Sequence, residues 1–383
     1  MRPDSEGFLF PTVDAYECTD CALCDRICPI PKEKDPATRT KGDPLEVLAG
    51  WHLDPEIRRQ SSSGGVFTAL ADAIFAQGGV VVGAAFDEKL VVKHIIIEDP
   101  ADLHRLRGSK YVQSEIAPEV YHAIRDHLKV GRVVLFTGVP CQVAGLKDFL
   151  RKPYTNLYTV DLICHGVPSP LFWEKYLDHC RIDSARPTQV SFRDKATGWK
   201  RFSVRRTYPD GTTRSADLHH DLYMQAFLKN LNLRESCYRC QFCSTARQGD
   251  LTIADFWGIG CKYPSFDDAD QGTSLLLRNT TQKNGIIEQA DIVLFTRPAD
   301  LSIAIPGNPA LVRPHNRPAK RSSFYKFVSN HTLAAAAQRF RLKPRRLLRL
   351  LQSAKHQLVV NIPRPLRAQL KALRNRLAPH TTR

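Results

Sequence analysis

Residues 132–166 read RVVLFTGVPCQVAGLKDFLRKPYTNLYTVDLICHG, with apolar strand patterns at 132–137 and 157–163 and a helix-like run between them. Short runs rich in β-branched residues are typical of buried strands, and strand–helix–strand order is typical of a sheet covered by helices. Each strand pattern ends in a turn that carries a cysteine, Cys141 or Cys164. Ligands of open α/β sheets bind at the carboxyl ends of strands, so this edge is predicted to hold the functional site.

The same alternation extends outward in both directions from this stretch. Helical spacing runs from Gly64 to Ala76, β-branched runs follow it, and residues 188–217 contain a Pro-Asp-Gly turn between strand-like runs. We therefore predict an α/β (α+β) fold, with a mixed central sheet covered by helices. Residues 31–62 are polar and rich in proline near their start, and they are interpreted as a linker or a surface crossing.

The charge of the chain is unevenly distributed. The formal net charge is +16, but residues 311–383 hold 18 Lys and Arg and no Asp or Glu, which leaves the remaining chain near neutral. A basic appendage on a neutral body argues against nucleic-acid binding, which would need basic residues on the folded body as well. The N-terminus lacks the apolar core of a signal peptide, so a cytoplasmic protein is expected, and its 11 cysteines point to metal or redox chemistry.

A first cysteine group lies near the N-terminus. Cys18, Cys21, Cys24 and Cys28 precede a proline in the spacing C-x2-C-x2-C-x3-C-P. This is the bacterial ferredoxin pattern for a 4Fe-4S cluster, whereas zinc sites use paired C-x2-C knuckles farther apart. The spacing alone leaves two ways to complete the cluster, through Cys28 or through a remote cysteine.

A second cysteine group has three members close in sequence. Cys237, Cys240 and Cys243 give C-x2-C-x2-C, and such a site must recruit a ligand from elsewhere. Cys141 and Cys164 are candidates because both follow predicted strands. A zinc knuckle or buried core cysteines are the alternatives. Two further cysteines complete the set: Cys180 is interpreted as structural, and the role of Cys261 stays open.

Polar turns beside the strands supply candidate cofactor contacts. The Ser61–Gly65 run opens a helix, where backbone amides face phosphates or where a simple cap forms. Lys110 and Arg193 are placed to face an anionic cofactor or to lie on the solvated surface. His165 is either a proton donor beside Cys164 or a plain loop residue. No G-x-G-x-x-G follows a strand and no Walker A motif occurs, which disfavours a Rossmann or P-loop nucleotide site.

An ordered set of short motifs resembles the coenzyme F-420 hydrogenase/dehydrogenase β-subunit family. That family includes the flavin-bearing subunit of the deazaflavin-reducing hydrogenase and 7-hydroxymethyl chlorophyll a reductase. The resemblance spans residues 60–315 and is joined by the ferredoxin run at 18–28. The motifs are Ser63-Gly64-Gly65-Val66, Gly108-Ser109-Lys110-Tyr111, Gly138-Val139-Pro140-Cys141-Gln142, Ile163-Cys164-His165-Gly166, Ser191-Phe192-Arg193, Cys237-Tyr238-Arg239-Cys240, and Gly249-Asp250 followed by Asp255-Phe256-Trp257-Gly258.

The resemblance implies an iron–sulfur flavoprotein oxidoreductase with two 4Fe-4S clusters and FAD. One cluster is expected on Cys18, Cys21, Cys24 and Cys28. The resemblance places the second cluster on Cys141, Cys164, Cys237 and Cys240, with Cys243 or Cys261 left open as a replacement ligand. Motif position assigns FAD to Ser63, Gly64, Gly65, Lys110, Gly138, Pro140, Gln142 and Arg193.

The expected reaction passes electrons between ferredoxin and a small organic substrate. The NPALVRPHNRPAKRSSFY stretch at 308–325 resembles the end of family members that accompany surface-polysaccharide synthesis, which implies a place in surface-polysaccharide metabolism. Two alternatives stay open. One is a deazaflavin-dependent hydrogenase or dehydrogenase subunit. The other is a non-catalytic iron–sulfur protein whose tail binds nucleic acid.

The predicted organisation has four parts. They are a ferredoxin-type segment at 1–35, an N-terminal family part at 60–150, a C-terminal family part with the second cluster and flavin at 151–318, and a basic helical tail at 319–383. Leucine stripes beside arginines in the tail suit an anionic membrane surface or an acidic partner. A solvated extension packed on the body is the alternative.

Overall fold

The strand patterns at 132–137 and 157–163 form neighbouring strands of a mixed sheet in the computed structural model. The structure describes residues 1–28, 44–263, 269–280 and 284–342, together with Gly42 and Phe266. From one edge of the sheet to the other, the strands are β13 (Leu294–Pro298), β3 (Glu46–His52), β12 (Ser274–Arg278), β11 (Leu251–Asp255), β7 (Leu157–Leu162), β6 (Val134–Gly138), β4 (Val80–Phe86) and β5 (Val92–Ile97).

The middle of this sheet is parallel. Strands β4, β6, β7 and β11 run in one direction, with Val134 opposite both Val80 and Leu157. The strands outside this group pair antiparallel with their neighbours. The carboxyl ends of the four parallel strands therefore meet at one edge, as the fold prediction requires.

Helices cover both faces of the sheet, which confirms the predicted fold class. On one face, α3 (Val66–Phe75) and α9 (Asn284–Asp291) bury their apolar sides against strands β4, β6, β7 and β12. On the other face, α4 (Pro118–Lys129) and α5 (Pro140–Leu150) pack against β4 and β6. Leu70 of α3 lies in the first of these interfaces and Phe136 of β6 in the second, and both side chains are fully buried.

A second layer lies beside the sheet and holds most of the aromatic core. The antiparallel strands predicted at 188–217 are β8 (Gln189–Asp194), β9 (Ser203–Thr207) and β10 (Thr213–Asp217). They pack with helices around Trp173, Phe192 and Tyr223, which are buried. The helices of this layer are α6 (Pro170–His179), α7 (Leu222–Leu228), α11 (Arg321–Asn330) and α12 (Leu333–Arg339).

The first ten residues belong to this layer. Strands β1 (Arg2–Pro3) and β2 (Leu9–Phe10) form a small hairpin, and Phe8 between them is buried against Tyr325 of α11. Glu6 forms an ion pair with Arg321, whose side chain is only 2% exposed. Residues 319–342 therefore pack on the body, and residues 343–383, the larger part of the predicted basic tail, lie outside the described residues.

One strand falls where the sequence predicts a linker. Strand β3 lies between β12 and β13, and α2 (Pro55–Gln60) follows it with Asp54 as its N-cap. The interpretation of residues 31–62 as a linker was wrong for residues 46–60. These residues form strand β3 within the sheet and helix α2 directly after it. The remaining short helices are α1 (Leu23–Ile27), α8 (Ile259–Lys262) and α10 (Leu301–Gly307). Across the described ranges, no helix combines the length and apolar character needed to cross a membrane.

Candidate functional site

A cavity of about 1040 Å³ opens at the carboxyl ends of the parallel strands. Its size falls at the upper end of the range typical for small-molecule and cofactor sites. The turns after β6, β7 and β11 all contribute to its wall. Of the residues predicted to bind a cofactor or a cluster, those that line it are Ser63, Gly65, Lys110, Gly138, Gln142, Arg193, Cys141, Cys164 and Cys237.

The Ser-Gly run is held in place by its neighbours. Gly64 donates its backbone N–H to Ser274 Oγ at 2.9 Å, and a Cβ on this glycine would lie 2.4 Å from the carbonyl oxygen of Gly50. Gly65 adopts a left-handed φ of +96° as the N-cap of α3, which favours glycine. Gly64 thus serves close packing outside the cavity lining, whereas Ser63 and Gly65 face the cavity.

Lys110 faces the cavity with a charge that no acidic side chain of the described chain neutralises. Its Nζ donates to the backbone carbonyls of Arg105, Leu106 and Arg107 at 2.9–3.0 Å. Burial lowers the pKa of this ammonium to about 7. All three N–H donors of Lys110 are engaged by backbone carbonyls, but the positive charge of the ammonium can still attract an anion in the cavity.

Arg193 is already paired. Its guanidinium donates two hydrogen bonds to Asp255, at 2.6 and 3.1 Å, and a third to the Tyr111 hydroxyl at 3.1 Å. Burial opposes the charge, but Asp255 and Tyr111 more than offset that cost and raise the pKa of Arg193. Trp199 also donates to Asp255 at 2.9 Å, so this carboxylate organises one wall of the cavity.

Gln142 ends a chain of hydrogen bonds that the sequence does not reveal. Its Oε1 accepts from Val139 N at 3.1 Å, and its Nε2 donates to Ser114 Oγ at 3.1 Å. Ser114 contacts His94 Nδ1 at 2.6 Å, and His94 Nε2 lies 3.1 Å from the Thr137 carbonyl. Because a carbonyl only accepts, Nε2 carries the proton and Nδ1 accepts from the serine.

This series of hydrogen bonds holds His94, which lines the cavity, in its neutral form. Burial lowers its pKa to about 4. The sequence could have indicated this residue, because His94 is the one histidine in the β-branched run LVVKHIII. A polar side chain buried in such a strand needs a hydrogen-bond partner inside the fold. The hydrogen bond from Val139 to Gln142, at the end of this series, fixes the turn that leads directly into Cys141. Pro140, the first residue of α5, is buried outside the cavity lining.

Four cysteines converge beside the cavity. All six pairs formed by Cys141, Cys164, Cys237 and Cys240 are close enough to interact electrostatically. Cys243 interacts with Cys164 and Cys240. The structure therefore brings together the cysteines of three separate segments, and Cys243 lies at the edge of the set.

The environment of these cysteines disfavours isolated thiolates. Burial, followed by the neighbouring sulfurs, raises the pKa of Cys141 to about 12, and burial raises that of Cys237 to about 11. Cys240 is the exception, because a hydrogen bond with Cys243 lowers its pKa. The backbone N–H of Val167 also points to Cys237 Sγ at 3.4 Å. Stable thiolates here need a cation or a positively charged cluster core.

A single metal ion and an iron–sulfur cluster place different demands on these cysteines. Within the described ranges, no group of three His, Cys, Asp or Glu side chains converges tightly enough for one ion. A tetrahedral zinc site needs such convergence, with sulfur about 2.3 Å from the metal. In a 4Fe-4S cluster each thiolate binds a different iron atom, so four cysteine side chains are the donor set that such a cluster uses.

The N-terminal cysteines lie at the surface near the same site. Cys18, Cys21 and Cys24 are exposed and Cys28 is half-buried. Helix α1, which carries Cys24, packs against α5, whose first turn carries Cys141. Arg234 is close enough to interact electrostatically with Cys141 and Cys237 of one group and with Cys28 of the other.

The two other cysteines have different positions. Cys180 is buried in the aromatic layer, where Arg206 Nη1 lies 3.2 Å from its sulfur. The side chain of Cys261 lies outside the described residues. His165 packs against His315 with ring centroids 3.8 Å apart, and burial lowers its pKa to about 4.

Comparison with known proteins gives a consistent match along the chain. The profile described as "Coenzyme F420 hydrogenase/dehydrogenase, beta subunit N-term" matches residues 47–118, and its C-terminus counterpart matches residues 131–300. Together the two segments cover more than half of the chain. A search of curated proteins found no match.

Among solved structures, the chain is similar to a chain of the F420-reducing NiFe hydrogenase complex from Methanosarcina barkeri. The two share 18% sequence identity with a TM-score of 0.47, over 70% of this chain and 89% of that chain.

Proposed function

The chain belongs to the coenzyme F420 hydrogenase/dehydrogenase β-subunit family, and from that premise we propose that it is a flavin- and iron–sulfur-dependent electron-transfer subunit that reacts with a deazaflavin. The observation that carries the proposal is a cavity whose lining includes Lys110, Gln142 and three of the four converging cysteines. A cofactor in this cavity would lie beside both the anion-attracting charge and the cluster ligands.

The cavity residues fit FAD. Lys110 would attract its anionic groups, Ser63 and Gly65 would contact it from the start of α3, and Gln142 would hold the turn at Val139 beside it. Arg193 would contribute a rigid wall, since its charge is already satisfied by Asp255. When bound, FAD supplies the conversion between two-electron hydride transfer and one-electron steps.

The four converging cysteines fit one 4Fe-4S cluster, and the exposed run at Cys18–Cys28 fits a second. Cys141, Cys164 and Cys237 line the cavity, whereas the N-terminal cysteines lie at the surface, where an external carrier has access. Arg234 and the contact of α1 with α5 join the two groups. We propose that the surface cluster exchanges electrons with a partner protein and the inner cluster with the flavin.

A ferredoxin-linked oxidoreductase is the second candidate. The exposure of Cys18, Cys21 and Cys24 favours it, because a small iron–sulfur protein can approach a surface cluster directly. No contact in the described residues bears on surface-polysaccharide synthesis or on nucleic acid. The basic residues beyond 342 lie outside the described residues, so their contact with a membrane or an acidic partner stays a prediction.

Anaerobic purification tests the cofactor content. We expect about eight iron atoms and one FAD per chain if two cubanes and one flavin are present. Cys164→Ser is expected to remove about four iron atoms, while Cys180→Ser, a cysteine outside both groups, retains all of them. Zinc in place of iron, or equal iron in both variants, would overturn the assignment.

The two candidate functions differ in the reductant. Under anaerobic conditions, reduced coenzyme F420 is expected to bleach the visible band of the bound flavin. A second, still oxidised portion of the preparation is mixed with reduced ferredoxin. Bleaching by ferredoxin and none by coenzyme F420 would replace the deazaflavin proposal with the ferredoxin-linked one.

A further inference from the structure

A buried ion pair lies behind the four-cysteine site and is not among the predicted ligands. We propose that Arg247 and Asp161 are positioning residues that set the distance between the loop of Cys164 and the loop of Cys240. The inference rests on the proposed cluster at Cys141, Cys164, Cys237 and Cys240. It adds a structural reason why two loops far apart in sequence meet at that cluster.

Asp161 anchors the pair from the end of β7. Its side chain is fully buried, and its Oδ2 accepts from the backbone N–H groups of Gln248 and Gly249 at 2.9 and 3.0 Å. Its Oδ1 accepts from Thr252 Oγ1 at 2.6 Å. The carboxylate thereby ties β7, which leads to Cys164, to the turn before β11.

Arg247 extends this anchor to both cysteine loops. Its Nη2 donates to Asp161 Oδ1 at 3.0 Å and to the Leu162 carbonyl at 2.9 Å. Its Nη1 donates to the carbonyls of Ser244 at 3.1 Å and Phe242 at 3.4 Å. Leu162 lies two residues before Cys164, and the other two carbonyls flank Cys243 on both sides. One guanidinium therefore spans the gap between the loops.

The geometry requires arginine. A planar guanidinium directs its N–H groups in fixed directions, so it can bind a carboxylate and several carbonyls at once. A lysine would keep the charge beside Asp161 but could not reach both loops with the same geometry. The Arg247 side chain is 1% exposed, so water cannot replace the lost hydrogen bonds. Outer residues of this kind commonly change metal affinity 10–100-fold when they are replaced.

The test compares Arg247→Lys and Thr252→Val with a matched control, Arg278→Gln. Arg278, the last residue of β12, pairs with Asp291 and Glu46, and within the described residues it makes no hydrogen bond to either cysteine loop. All variants carry Cys21→Ser, so that only the four-cysteine site contributes iron and an EPR signal. Circular dichroism confirms that each variant is folded. The readouts are iron per chain, the EPR spectrum after reduction, and the rate of iron loss to a chelator.

We expect Arg247→Lys to lose iron about 10-fold faster than the parent and to show a shifted EPR spectrum. The Thr252→Val variant removes one hydrogen bond to Asp161 and one from Arg247 Nε but keeps the Arg247 side chain and its contacts to both loops, so it is expected to show a smaller change. The control is expected to match the parent. An unchanged rate and spectrum in folded Arg247→Lys would overturn the inference, and if that variant fails to fold, an unchanged Thr252→Val would do so.

Failure of the proposed function gives a different result. If the cluster assignment is wrong, the parent itself holds no iron that depends on Cys164. If only the positioning role is wrong, the parent holds iron that Cys164→Ser removes, and the Arg247 and Thr252 variants release it at the parent's rate.

Discussion

Replacing Lys110 by methionine removes a buried ammonium from the cavity wall, and the effect on stability is expected to depend on pH. In the flavin-free protein this charge has no acidic partner within the described part of the chain, and burial lowers its pKa to about 7 from the ordinary 10.5. The folded protein therefore loses the Lys110 proton at a much lower pH than the unfolded chain does.

The sign follows from proton binding. Below about pH 7 both states carry the proton, and the folded state bears the full cost of the buried charge. Between pH 7 and 10.5 the unfolded state binds more protons, so the free energy of unfolding rises with pH. The slope is about 1.4 kcal/mol per pH unit, which gives about 3 kcal/mol between pH 7.5 and 9.5.

Urea titrations of the flavin-free protein at pH 7.5, 8.5 and 9.5 give the free energy of unfolding of the parent and of Lys110→Met. The slope is obtained by plotting the difference between these two free energies against pH. Other titrating groups cancel in the difference. Lys129→Met controls for the loss of one positive charge from an exposed site on α4. A parent-minus-variant difference that stays flat over this range would refute the reasoning. Bound FAD is expected to reduce the slope, because its phosphates stabilise the ammonium.

Three other changes test separate parts of the structure. Asp255→Asn leaves the buried charge of Arg193 without its partner, so it should lower the free energy of unfolding by about 3–5 kcal/mol in urea titrations, and a loss below about 1 kcal/mol would contradict this. Cys21→Ser should remove one cluster's EPR signal and leave one FAD per chain, whereas joint loss of flavin would argue against two separate sites. Arg321→Met should free the N-terminal hairpin held by Glu6, which hydrogen exchange of the first ten residues measures; unchanged protection would show that other contacts hold it.

The central strands could be predicted from the sequence because their signal is local. The pattern at 132–137 corresponds to Val134–Gly138, and the one at 157–163 to Leu157–Leu162. The strand Glu46–His52 was missed because its apolar residues follow a polar segment directly, and because its partners lie far along the chain. Local periodicity cannot report pairing at that distance.

The site was predictable in outline. Motifs that follow neighbouring parallel strands must meet at one edge of the sheet, so the convergence of Cys141 and Cys164 follows from the fold. How the protein uses its own charges could not be foreseen in the same way. Arg193 is neutralised by Asp255, which lies 62 residues away in a different motif, and Lys110 is bound by three backbone carbonyls. No sequence pattern shows either of these pairings.

The position of β3 also sets an order of events during synthesis. This strand emerges from the ribosome early, yet both of its neighbours, β12 and β13, lie more than 200 residues later. Contacts between such distant segments form slowly, and an unpaired apolar strand is prone to aggregate while it waits. The cysteines at 141–240 are synthesised during this interval. With the proposed cluster, iron binding at these cysteines and completion of the sheet would overlap in time, so the yield of folded protein should respond to iron supply.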